Sequence, residues 1–132
     1  EVISVGQKLT VRPMRNERKL FGMCSFAGCI FVAGGAHNNL ESSAKCEVYS
    51  AESGEWSEVS SMNASRCALA LTYFQDKVWA IGGDSNMNLL DTVETYDLGE
   101  NKWTTADVRL LQKRTGHNAV VHDKNFFVIG IF

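Results

Sequence analysis

The stretch KVWAIGGDSN, residues 77 to 86, decides the fold of this chain. The four residues after Lys77 carry no polar side chain, and Gly82 and Gly83 follow them at once. A strand on the exposed surface of an antiparallel sheet would alternate apolar with polar residues. The run therefore predicts a strand that is covered on both faces, and the glycines predict close backbone approach where the strand ends.

The same pattern returns at a fixed spacing along the chain. Several residue types recur at one step, which argues against unrelated strands of a β-sandwich and predicts a repeated structural unit. The same step separates Gly34 from Gly82, Gly35 from Gly83, Arg18 from Arg66 and Arg66 from Arg114. A step that is one position shorter separates Tyr49 from Tyr96 and Trp56 from Trp103.

Each unit contains four candidate strands, and no segment shows helical periodicity. The second strand, at 30–33, 78–81 and 126–129, is rich in β-branched and aromatic residues. A first strand is expected near 20–25, 68–73 and 116–121, a third at 47–49 and 94–96, and a fourth from Trp56 and Trp103. Four short antiparallel strands per repeat are typical of a β-propeller blade.

We therefore predict an all-β fold in which blades stack face to face, so that the second strand of a blade is covered on both sides. The repeated tyrosines and tryptophans are then expected to pack between blades. The predicted divisions are an outer strand of a preceding blade or a linker at 1–17, complete blades at 18–65 and 66–113, and an incomplete blade at 114–132.

The repeat resembles the Kelch motif, with an arginine, an inner strand, an aromatic strand that ends in two glycines, a tyrosine and a tryptophan. The resemblance covers about residues 14–132, and its most specific stretches are VWAIGGDSNMNLLDTVETYDLGENKW and IFVAGGAHNNLESSAKCEVYSAESGEW. It implies a partial Kelch propeller. Since Kelch propellers resemble closed rings of about six blades, we expect the chain to be an excerpt of a ring.

The composition of the chain limits the kinds of partner and metal site that we expect. The formal net charge of −2 argues against nucleic acid, and no apolar run reaches the ~20 residues of a membrane helix. The four cysteines form no C-x-x-C pair, so a zinc site is not predicted. Cys24 and Cys29 flank a predicted turn at 27–28 that sets Cys24 opposite Phe31 and Cys29 opposite Phe26. We expect buried free thiols in a reducing compartment, and hence a cytoplasmic chain.

An enzyme is not predicted, and neither is a cofactor or a metal. His117 and His122 are an odd number of positions apart on or near one strand, so their side chains are expected on opposite faces. No G-x-S-x-G, P-loop or H-E-x-x-H pattern occurs in the sequence. A remote alternative is an oxidase that resembles the Kelch-propeller copper enzymes.

Strand direction places the loops after the glycine pairs, 36–45 and 84–92, on one face with the arginine-bearing segments 14–19, 63–67 and 111–117. The mixture of polar residues there suits recognition of a protein or peptide. The candidate partner-binding residues are Arg18, His37, Asn38, Asn39, Arg66, Asp84, Ser85, Asn86 and Arg114. For the repeated arginines there is a structural alternative, in which they tie adjacent blades together through backbone carbonyls.

The resemblance also implies a function. Kelch-like proteins resemble adaptors in which BTB and BACK domains precede the propeller and engage a cullin-RING ubiquitin ligase, while the loop face binds a substrate. The leading hypothesis is a substrate-recognition module of such an adaptor. The alternative is a cytoskeletal Kelch protein that binds actin.

Overall fold

The computed structural model describes residues 2–4 and 6–130, and these contain fourteen strands and no helix. All strand pairing within the sheets is antiparallel. The chain begins with a hairpin of β1 (Val2–Ser4) and β2 (Gln7–Leu9). The first blade is a four-stranded sheet in chain order: β3 (Gly22–Phe26), β4 (Cys29–Ala33), β5 (Cys46–Ser50) and β6 (Glu55–Val59).

The second blade repeats this topology. Its strands are β7 (Ala70–Phe74), β8 (Lys77–Ile81), β11 (Thr92–Asp97) and β12 (Lys102–Arg109), and a small hairpin of β9 (Asp84–Ser85) and β10 (Asn88–Leu89) lies between the second and third of them. A last hairpin of β13 (Asn118–His122) and β14 (Asn125–Ile129) forms part of a third blade. The predicted all-β propeller with two complete blades and part of a third is confirmed.

β8 is covered on both faces, as its sequence predicts. Val78 and Ala80 pack in one apolar cluster with Phe31 of the first blade. Trp79 and Ile81 belong to a second cluster that includes Ala119 of the last hairpin. The innermost strand of the blade, β7, contacts both β3 and β13. Because a strand presents alternate side chains to opposite faces, one apolar run supplies two blade interfaces.

The repeated aromatic residues of the second blade lie in the first of these interfaces. Tyr96 and Trp103 are each 4% exposed, and their rings lie 5.0 and 6.0 Å from the ring of Phe31. Tyr49 and Trp56 contact each other on the far face of the first blade, with ring centroids 5.4 Å apart, and both are half-buried.

The second glycine of each pair occupies an equivalent place in its blade. Gly35 and Gly83 have φ angles of 99° and 98°. The amide of Gly35 donates to the carbonyl of Arg66 at 2.8 Å, and the amide of Gly83 donates to that of Arg114 at 2.9 Å. A Cβ at either glycine would lie 2.8 Å from a backbone oxygen of its own blade, so only glycine fits without a shift.

The segment between β2 and the first blade makes the same kind of contact as the connection between the first and second blades. The indole N–H of Trp56 donates to the carbonyl of Arg12 at 2.9 Å, and that of Trp103 donates to Ser60 at the same distance. Arg12 and Ser60 are separated by the same step as the two glycine pairs. Arg12 therefore contacts the first blade as Ser60 contacts the second, and the assignment of 1–17 to an outer strand of a preceding blade or to a linker stays a prediction.

The four cysteines are free thiols. The predicted hairpin register is confirmed, since Cys24 pairs with Phe31 and Cys29 with Phe26. Cys46 and Cys67 are buried, whereas Cys24 and Cys29 are partly exposed. Burial raises the pKa of the Cys24 and Cys46 thiols to about 12, so both stay protonated at neutral pH.

Candidate binding face

The antiparallel blades bring two sets of connections to opposite ends of the molecule. The loops 36–45 and 84–92 lie at one end with the segments 14–19, 63–67 and 111–117, and we call this end the loop face. The tight hairpin turns at 27–28, 51–54, 75–76 and 98–101 lie at the other end, the turn face.

Arg66 is placed beneath the loop face rather than on it. Its side chain is 1% exposed, and Nη1 donates to the carbonyls of Gly82 and Thr92 at 2.9 Å each. Nε and Nη2 donate to one carboxylate oxygen of Glu94 at 3.0 and 2.9 Å. The carboxylate also accepts the amides of Asn63 and Ala64 at 2.6 and 3.2 Å, so the charged pair is well supplied with hydrogen bonds.

Arg18 makes the corresponding carbonyl and carboxylate contacts in the first blade, although its Nε approaches the carbonyl of Asn16, at 3.5 Å, in place of the carboxylate. It donates to the carbonyls of Gly34 and Lys45 at 2.9 and 2.7 Å and to the Glu47 carboxylate at 2.6 Å. The amides of Arg15 and Asn16 donate to that carboxylate at 2.7 and 3.2 Å. Glu47 is 0% exposed and Arg18 is 9% exposed.

These contacts correct the prediction that Arg18 and Arg66 face a partner, because their guanidinium groups are buried and hydrogen-bonded within the blades. The side chain of Arg66 binds its own blade, while its backbone binds the preceding blade through Gly35 and Ser43. The backbone of Arg66 thus joins two blades, whereas its guanidinium group binds carbonyls of its own blade. Arg114 repeats the backbone contact to Gly83, and its side chain is half-buried.

Three predicted residues lie at the tip of the first loop, and all are exposed. The side chain of Asn39 is hydrogen-bonded within the loop. Its amide nitrogen donates to the carboxylate of Glu41 at 3.2 Å, and its oxygen accepts the backbone amide of Glu41 at 3.1 Å. Among the described residues, the side chains of His37 and Asn38 make no hydrogen bond. They line a cleft of about 440 Å³ together with Glu17 and Lys19.

The residues predicted on the second loop hold the two loops together. The side-chain oxygen of Asn86 accepts the amide of Ser42 at 2.9 Å, and the hydroxyl of Ser42 accepts the amide of Asn86 at 3.1 Å. The hydroxyls of Ser85 and Ser65 lie 2.8 Å apart. Asp84 accepts the amide of Met87 at 2.7 Å. The loop face is therefore a hydrogen-bonded platform across two blades.

Sequence reasoning missed two exposed apolar side chains at the loop tips of this platform. Met87 is 93% exposed and Leu40 is 66% exposed, each at a loop tip. It also missed Glu47 and Glu94 as partners of the arginines. Both glutamates stand two residues before a repeated tyrosine, and that spacing was the available signal.

The histidines do not form a common site. His117 is buried, and its Nε2 donates to the carbonyl of Ile81 at 3.0 Å, whereas the side chain of His122 is 74% exposed. Burial is the main cause that lowers the pKa of His117, and the charge of Arg114 lowers it further. Within residues 2–4 and 6–130, no group of three or more histidine, cysteine or acidic side chains is arranged to hold a metal. The described residues include no helix that could cross a membrane.

Comparison with known proteins agrees with the repeat. The family model for the Kelch motif matches residues 17–63 and 65–106. Kelch-like protein 41b of Danio rerio is 31% identical over 103 residues, which are 78% of this chain and 17% of that protein. The Kelch repeat and BTB domain-containing protein 2 of cowpox virus is 35% identical over 74 residues, 56% of this chain and 13% of that protein.

The solved structure of YjhT superposes with a TM-score of 0.76 over 89% of this chain and 35% of that one, at 13% identity, which supports the fold alone. The chain spans less than a fifth of the length of the two curated relatives. The family match covers well over half of the residues. The chain therefore belongs to the Kelch-repeat family and forms part of a β-propeller.

Proposed function

We propose that this propeller segment recognises substrates for a cullin-RING ubiquitin ligase adaptor, and that a protein or peptide binds on the loop face. The family relationship supports an adaptor, and one of the viral relatives carries a BTB domain in its name. On this proposal the chain acts by binding, without a cofactor or a catalytic residue of its own, in the reducing environment of the cytoplasm.

The proposal rests on a difference between residues of the loop face: some hold the two loops together, and others leave their side chains free of hydrogen bonds within the described residues. Asn86 and Ser42 fix the two loops against each other through hydrogen bonds. His37 and Asn38 extend from this rigid support, and among the described residues the fold makes no use of their side chains in hydrogen bonding. A preorganised surface with uncommitted polar groups suits protein recognition, because little conformational entropy is lost on binding.

The test compares the full-length protein with the variant His37→Ala/Asn38→Ala in cells. We expect both to co-purify with a cullin, and only the wild type to retain its co-purifying substrates and promote their ubiquitylation. A matched control on the turn face is Ser53→Ala, which should retain both. Absence of a cullin, or sedimentation with actin filaments in its place, would contradict the adaptor role and favour the actin-binding alternative.

A further inference from the structure

The tight turn between β9 and β10 contains a residue type that turns of this kind do not favour. Asn86 and Met87 are its two central residues, with φ angles of 49° and 72°. Two-residue hairpin turns with positive φ at both positions prefer asparagine followed by glycine. Asn86 fits this preference, but a methionine occupies the place of the glycine. With 93% of its surface exposed, Met87 gains almost no packing within the blade.

The first loop has the same combination. Leu40 has a φ of 64° and is 66% exposed, and its amide donates to the carbonyl of His37 at 3.0 Å to close the loop. A single exposed apolar residue needs no explanation. Two such residues stand at the tips of neighbouring loops, each in a backbone conformation that opposes a Cβ. Positive φ alone does not distinguish them, since Gln75 and Asp76 on the turn face also have it, but those residues are polar, whereas Leu40 and Met87 expose apolar side chains.

The two tips are held in a fixed relationship. The paired hydrogen bonds between Ser42 and Asn86 join the loops two residues from Leu40 and next to Met87. Each tip also has an acidic neighbour, Glu41 in the first loop and Asp84 in the second. In the part of the chain that the structure describes, neither carboxylate forms an ion pair.

From this arrangement we propose that Leu40 and Met87 form an apolar anchor for a protein segment that presents an apolar side chain beside a lysine or arginine. The inference rests on the proposed function and specifies the chemistry of its partner. Methionine suits such an anchor, because its flexible, polarisable side chain adapts to the surface it meets. The polar loop residues around it would exclude water from the contact.

The decisive variant is Met87→Gly, because it separates a structural role from a binding role. Glycine adopts positive φ readily, so the melting temperature of the full-length protein should not fall. The matched control is Gln75→Gly. Gln75 is also exposed with positive φ, at 49°, in a two-residue turn of the same blade, but it lies on the turn face.

The probe is a phage-displayed library of random short peptides selected on the full-length wild-type protein. We expect enriched peptides to share an apolar residue next to a lysine or arginine. They should bind Met87→Gly about tenfold more weakly than the wild type and bind Gln75→Gly equally well. Glu41→Gln should weaken the same peptides and reduce the dependence of their binding on salt.

Three outcomes would overturn the anchor. Enriched peptides without the apolar and basic pair, equal binding to Met87→Gly, or no enrichment at all would each do so. A lower melting temperature of Met87→Gly would show that the side chain serves the fold and would also contradict the proposal. None of these results bears on cullin association, which tests the proposed function independently.

Discussion

Arg66 and Glu94 form an ion pair in the interior of the second blade, with Nη2 and Oε2 2.9 Å apart and both side chains 1% exposed. Arg18 and Glu47 form the equivalent pair in the first blade. Nη1 of each arginine also donates to two backbone carbonyls, and each glutamate accepts two backbone amides. The pair thereby fixes the connection between blades to the start of the third strand.

Removal of Glu94 should be strongly destabilising. Glu94→Ala would leave a buried guanidinium and two amides without their acceptor, and we expect a loss of about 3–5 kcal/mol in the free energy of unfolding. Urea denaturation measures the loss. The control Asp91→Ala removes an ion pair with Arg109, whose side chain is 60% exposed, and should cost less than about 1 kcal/mol. Equal losses in the two variants would contradict the structural role.

Trp103 should be a major contributor to the interface between the first two blades. Trp103→Ala removes the ring that contacts Phe31 and Tyr96, and we expect a loss of about 3–5 kcal/mol in thermal or urea unfolding. Leu111→Ala is the control, because Leu111 is fully exposed and should change stability by less than about 0.5 kcal/mol. A neutral Trp103→Ala would exclude packing as the role of the repeated tryptophan.

A glycine with open space around it and a glycine in a crowded place should lose different amounts of stability when each is replaced by alanine. Gly54→Ala introduces positive-φ strain alone, since a Cβ there has no neighbour within 4 Å, and should cost about 1–2 kcal/mol. Gly83→Ala adds a clash with the carbonyl of Cys67 and with Leu69, and we expect a loss of about 4 kcal/mol or more. Urea unfolding of both variants provides the comparison. Similar losses would mean that Cys67 and Leu69 do not crowd Gly83.

His117 should make stability depend on pH. Burial holds its pKa in the folded state below the ordinary value of 6.5, so the unfolded chain binds the proton more readily. The neutral imidazole therefore contributes its full stability above about pH 6.5, and this stability is lost as the pH falls toward the lower folded-state pKa.

Unfolding measured between about pH 8 and pH 5 tests this dependence in the wild type and in His117→Leu. Leucine is the control residue because Leu69 occupies the equivalent place in the preceding repeat. The variant should lose less stability on acidification than the wild type. Parallel pH profiles for the two proteins would show that His117 does not titrate with unfolding.

The blades could be predicted from the sequence because each element carries its own local signal. The aromatic and β-branched runs predicted the second strands, and the turn residues between the first and second strands of a repeat predicted the hairpins. The register of Cys24 with Phe31 followed from the turn at 27–28. The constant spacing of the repeat supplied the long-range information, since equivalent positions in a repeat must make equivalent contacts.

The binding face could be predicted only in outline. Chain direction placed its loops correctly, but the sequence left open whether Arg18 and Arg66 face a partner or have a structural role. Their burial depends on acceptors that are distant in sequence, the carboxylates of Glu47 and Glu94. The bonds between Asn86 and Ser42 also join different repeats at positions that are not equivalent, so the repeat carried no signal for them.

The central claim is that successive blades, each one repeat further along the chain, pack with the same geometry around a common axis. The most direct test is NMR detection of scalar couplings through hydrogen bonds, from a glycine amide nitrogen to the acceptor carbonyl carbon. We predict couplings from Gly35 to Arg66 and from Gly83 to Arg114, where the donor and acceptor atoms lie 2.8 and 2.9 Å apart. Coupling of either amide to a different carbonyl, or no coupling at one of the two sites, would contradict the account.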